Sequence, residues 1–139
     1  MSFRSLKAPV TFGSADGLTV VMGLIVTLAG EHHALWRAAV GAGLAELVGM
    51  TAGQWLSDGD GGFRAALANG SAAAAACIIP ALPYAAAGGL AALLSSLTLV
   101  TGVAAAISWL RPERGILAVV QTYGVLIAAA ALCTAAAAI

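Results

Sequence analysis

The chain has 139 residues, of which 61% are hydrophobic and 9% charged, and its formal net charge is zero. A soluble domain carries about 25% charged residues, so this chain has too little polar surface to remain in water; its mean hydropathy is +0.99. With zero net charge, nothing suggests nucleic acid or an acidic soluble partner.

A membrane-spanning helix needs ~20 apolar residues. On that measure the sequence predicts five, at about 9–30, 34–56, 63–84, 87–110 and 115–138, making one all-α transmembrane domain over residues 1–139. The first, from Pro9 to Gly30, has Asp16 as its only charge. Arg4 and Lys7 precede it, but the run exceeds the roughly 7–15 residue core of a cleavable signal and holds an acid, so it reads as a retained helix. Glu31-His32-His33 forms the turn into the second helix, which carries Glu46 near its middle. Counting back from that turn at about 1.5 Å per residue sets Asp16 ~21 Å and Glu46 ~18 Å below the outer surface. The two acids share one depth. An acid there costs roughly 2.5–3.5 kcal/mol on insertion scales, so such residues face a pathway or a partner.

The second helix also has a stripe of small residues, Ala38, Ala42, Ala45, Gly49 and Gly53, ending in a GxxxG. Small residues let backbones approach closely in lipid. The stripe serves either packing within one chain or a two-fold dimer. The dimer is the expected use, because five short helices enclose little space for a polar path and two-fold pairing is the commonest closure. The third and fourth helices form one unbroken apolar stretch, divided by Pro80, Pro83 and Gly88-Gly89. Asp58-Gly59-Asp60-Gly61-Gly62 has two acids of a calcium loop but neither its length nor its closing glutamate, and reads as a turn. Arg111-Pro112-Glu113-Arg114 links the last two helices.

Five crossings put the termini on opposite sides. With the N-terminus cytoplasmic, that side holds Arg4, Lys7, Arg64, Arg111 and Arg114 against Arg37 alone outside, a clear positive-inside bias. Trp36, Trp55 and Trp109 fall at predicted helix ends, where an amphipathic ring prefers the interface. The expected location is the cell (inner) membrane, with the C-terminus outside.

Glu46 and Met50 are four apart and share a helix face, which Gln54 continues. Asp16, Thr19 and Gly23 line one face of the first helix. Carboxylate oxygens with a thioether suit a borderline transition metal such as ferrous iron or manganese better than calcium, so Asp16, Glu46 and Met50 are the candidate metal residues. Each has a plainer reading: Asp16 as the cap of a shorter helix, Glu46 as a protonated acid bonded to a neighbouring helix, Met50 as core filler. His32 and His33 read as a solvated turn, and Cys77 and Cys133 as small buried residues. Ser95, Ser96 and Thr98 have no base at hand, so no enzyme is expected. No cofactor is expected either, beyond the metal carried as substrate.

Three stretches resemble the vacuolar iron transporter family, whose bacterial members include membrane iron and manganese exporters. Asp16-Gly17-Leu18 is similar to the family's Asp-Gly-Leu in its first helix. Gly49-Met50-Thr51-Ala52-Gly53-Gln54-Trp55-Leu56-Ser57 is similar to its Ser-Met-Ala-x-Gly-Glu-Tyr-x-Ser in the second. Ile79-Pro80-Ala81-Leu82-Pro83-Tyr84 is similar to its Ile-Pro-x-x-Pro-Tyr in the third. The resemblance implies a dimer with a metal path along the subunit interface, lined by the first two helices, and carries Asp16 and Met50 over as path residues. This chain departs from the family in three ways. Its second-helix acid stands one turn before the methionine, where the family's stands two turns before it, at the place of Ala42. Gln54 replaces a glutamate. Only Ser57 to Gly62 occupies the place of a glutamate-rich cytoplasmic helical domain. The expected function is therefore export of a divalent transition metal from the cytoplasm in exchange for protons. The alternative is a transport-inactive membrane dimer serving as a scaffold or partner subunit.

Overall fold

The computed structural model describes residues 3–58, 62–111 and 115–138. Six α-helices account for nearly all of them: α1 (Phe3–Leu28), α2 (His32–Asp58), α3 (Phe63–Ala81), the single turn α4 (Pro83–Ala86), α5 (Gly89–Leu110) and α6 (Ile116–Ala137). No strand occurs among the described residues. Residues 59–61, in the turn before α3, and 112–114, in the link before α6, lie outside them.

Four helices are long and apolar enough to cross a membrane: α1 over Leu6–Leu28, α3, α5 and α6. The chain is thus a helical membrane protein by length and composition. The predicted second span is the exception. At 27 residues, α2 is about 40 Å long, but His32, His33, Arg37, Glu46 and Asp58 make it too polar to qualify by composition.

Some boundaries differ from those the sequence predicts. The first helix starts at Phe3, not Pro9, so Pro9 lies inside it, where its missing N–H removes one backbone bond. Asp16 is therefore mid-helix, and its reading as a cap is excluded. His32 and His33 are not in a loop but in the first turn of α2, their rings 4.0 Å apart. Glu31 makes the turn instead: its N–H donates to Leu28 O (2.8 Å), and its carbonyl accepts from Leu35 N (2.9 Å). Of the expected dividers, Pro80 lies inside α3, which ends at Ala81 and not at 84. Pro83 cannot donate and starts α4, and the chain then extends through Ala87 and Gly88. Gly89 completes the turn with φ +75°, a conformation open to glycine.

α3 is the central helix, packed most extensively on α1 and α2. Its inward faces are nearly all small: Ala66, Gly70, Ala73, Ala76, Cys77 and Ala81 are buried. α1 meets it with Gly13 and Gly17, one turn apart. A Cβ on Gly13 would collide with the backbone oxygen of Asn69, and one on Gly17 with that of Ala73. The contacts ascend together along both chains, so α1 and α3 run in the same direction. Gly70 is pressed against Leu47 and Thr51, and Gly43 against Ala74 and Ile78, so α2 runs antiparallel to α3. In lipid, where apolar surface gains nothing by hiding from the solvent, such backbone approach supplies the dispersion contacts that hold helices together.

α5 and α6 complete the bundle on the other side of α1. α5 turns in Ala92, Ser96, Val100 and Ala104, and α6 turns in Ala118, Thr122 and Leu126, both at spacings of four. Large apolar side chains point outward, among them Leu90, Ile116, Ile127 and Leu132. Small residues within and large apolar residues outside are what a lipid solvent favours. Two buried hydroxyls bond within their own helices, Ser108 to Ala104 O (2.9 Å) and Thr122 to Ala118 O (2.8 Å), whereas the buried Ser96 Oγ has no hydrogen bond among the described residues.

Candidate functional site

Asp16 and Glu46 reach one level from two directions. Asp16 lies one residue before Gly17, which is packed at Ala73. Glu46 lies between Gly43, packed at Ala74 and Ile78, and Leu47, packed at Gly70. Both acids therefore stand level with the middle of α3, one on each flanking helix. Both are half-buried, and Asp16 is close enough for its charge to act on Glu46. Met50 follows Glu46 by one helical turn and is also half-buried.

Glu46 is the unusual member. Both its carboxylate oxygens are shielded from solvent and make no hydrogen bond to any described residue. The reading of Glu46 as an acid bonded to a neighbouring helix is thus not met within one chain. A shielded, unsatisfied carboxylate is costly and calls for a proton or a cation.

A groove of about 490 Å³ leads toward these residues from the end where α1 starts and α2 finishes. Pro9 and Phe12 form its α1 wall, and Gly49, Met50, Gly53 and Gln54 its α2 wall. Asn69 of α3 contributes from the floor. The GxxxG glycines have nothing within reach of an added Cβ, so within one chain they pack against no helix. They widen the groove and leave that face of α2 open. The close approaches inside the chain use Gly13, Gly17, Gly43 and Gly70 instead.

The predicted face of α1 divides. The Thr19 hydroxyl donates to Ala15 O (2.8 Å) within its own helix, and Gly23 lies against Cys133 of α6. Two residues that the sequence reading did not assign to the site lie in its surroundings. Cys77 is fully buried and donates to Ala39 O (3.5 Å). Asn69 is 4% exposed, and its Oδ1 has no hydrogen bond among the described residues. The pairing of Asn69 and Ala73 with Gly13 and Gly17, both at intervals of four, was the available signal.

Among the described residues, no three His, Cys, Asp or Glu side chains converge as a metal-ligand group. Of the three candidate metal residues only Met50 lines the groove, and Asp16 and Glu46 are not among its lining residues. Compared with known proteins, the chain matches no family model, no curated protein and no solved structure.

Proposed function

We propose that this protein carries a divalent transition metal, ferrous iron or manganese, out of the cytoplasm in exchange for protons. The observation that carries the reading is Glu46, shielded and without a hydrogen bond, beside Asp16 at mid-depth and one turn above Met50. Its oxygens need a positive partner, and a metal ion or a proton serves equally. A metal binds only ionised carboxylates, so metal and protons compete for the same atoms. The groove along Met50 and Gln54 gives the metal its approach.

The working unit is a two-fold dimer. The open Gly49–Gly53 face, with Asp16 and Glu46 on the same side, favours a second copy that doubles each donor to six side chains around one axis. The resemblance to vacuolar iron transporters points the same way. We further infer that α2 crosses the membrane as the fifth span: α1 and α3 run in parallel, and the chain between them must return through the full thickness. The N-terminus is then cytoplasmic, in the cell (inner) membrane. A cysteine placed at Ile139 is expected to react with an impermeant reagent added outside intact cells, and labelling only after lysis reverses the topology.

The second reading, a transport-inactive scaffold, draws on the lack of a three-ligand group within one chain and on Gln54 in the place of a glutamate. Metal accumulation in expressing cells separates the two. An exporter lowers cellular iron or manganese, and a scaffold leaves it unchanged.

A further inference from the structure

α3 buries one amide. Asn69 is 4% exposed, and the other residues that this helix buries are alanine, glycine, cysteine and proline. Its Oδ1 is shielded and accepts no hydrogen bond from any described residue. It stands 2.7 Å from where a Cβ on Gly13 would lie. A shielded amide oxygen without a donor costs roughly 1–3 kcal/mol, so packing alone would favour one more alanine there. Asn69 also lines the groove, together with Met50. Gly13 precedes Asp16 by three residues on α1, and Met50 follows Glu46 by four on α2, so each pair shares a helix face. Asn69 and Met50 thus stand about one helical turn, ~5 Å, nearer the groove's opening than the two acids. The groove's volume of about 490 Å³ exceeds the ~180 Å³ of a six-water shell at ~30 Å³ per water. A divalent cation has room to reach this level still hydrated.

We propose that Asn69 Oδ1 and the Met50 sulfur form a second cation site, an entry site of uncharged donors one turn before the acids. The inference rests on the export reading for the class of ion and adds the step that precedes the carboxylates. An amide oxygen takes the place of one water on the cation, and a thioether favours manganese or iron over magnesium and calcium. Neither donor has to lose a proton, so the ion lands here without proton exchange, which is left to Asp16 and Glu46. A Cβ at residue 13 would crowd this oxygen, which ties Gly13 to the site as well as to the helix contact.

The test uses the full chain in mild detergent with Asp16→Asn and Glu46→Gln in place, so that the acids contribute no charge. Mn²⁺ is the probe, and free Mn²⁺ is measured by its electron paramagnetic resonance signal. This chain should still bind Mn²⁺, more weakly than the native protein. Adding Asn69→Ala, or the similarly shaped Asn69→Leu, should weaken that binding on the order of tenfold, the lower end for a disturbed metal ligand. Asn69→Asp, which keeps the oxygen and adds charge, should restore or tighten it. An amide that only supports packing would not be replaced in this way. Loss of all Mn²⁺ binding once the acids are neutral overturns the proposal. So does binding that Asn69→Ala and Asn69→Leu leave unchanged, or that Asn69→Asp fails to restore. Mn²⁺ held at Asn69 by a chain that moves no metal in liposomes keeps the site and overturns the export reading alone.

Discussion

Glu46→Gln and Asp16→Asn are each expected to reduce metal efflux at least tenfold. Changing a residue that merely supports a metal ligand typically costs 10- to 100-fold in affinity or activity, so removing a direct ligand should cost no less. Both substitutions keep volume, so packing should hold. The discriminating readout is stability. Glu46 has shielded oxygens without a hydrogen bond among the described residues, and removing such a charge should leave the melting temperature unchanged or raise it. A Glu46 with a structural role would lose stability along with flux. Met50→Leu, nearly volume-conserving, should preserve flux but weaken the preference for manganese and iron over magnesium, because the soft donor is gone. Full metal resistance retained by both carboxylate variants would sink the site assignment.

The second large effect lies in the packing of α1 on α3. Gly17→Leu should abolish the native bundle, and Gly17→Ala should already lower the melting temperature. In an unpacked helix, glycine to alanine gains roughly 0.5–1 kcal/mol. Here a Cβ meets the backbone oxygen of Ala73, which cannot rotate away as a side chain would. Overpacking of a tight core costs typically 1–3 kcal/mol, so the loss outweighs the gain. Gly41 is the control, because a Cβ there meets nothing within 4 Å. Gly41→Ala should be neutral or mildly stabilising. Equal melting temperatures for the two alanine variants would mean that α1 and α3 are not in such close contact.

The glycines also show where the sequence was legible and where it was not. A GxxxG announces that a backbone can be approached but not by what. Gly49 and Gly53 stand out in the sequence, yet an added Cβ there meets nothing among the described residues, whereas Gly13 and Gly17 carry the tightest contact. The shared depth of Asp16 and Glu46 was legible because helix rise is constant and the turn at Glu31 fixes a common origin. The break at Pro83 was legible because a missing N–H is a local property. His32 and His33 were misplaced because polar residues after a glycine resemble a loop, although Ala29, Gly30 and Glu31 suffice for the turn. The start of α1 was misplaced because proline favours a first turn but is tolerated further in. The groove arises between side chains of α1, α2 and α3, so residue spacing along one helix does not reveal it.

Flux through the purified protein in sealed liposomes tests the central claim most directly. Manganese or ferrous iron loaded inside should leave faster than from protein-free vesicles. The rate should rise when the outside is made acidic, protons should move inward as metal leaves, and Glu46→Gln should fall to the background leak. Metal-specific flux indifferent to the pH gradient would contradict the exchange and describe a passive channel. A folded protein that releases no divalent metal above the leak, under any gradient, would contradict transport itself.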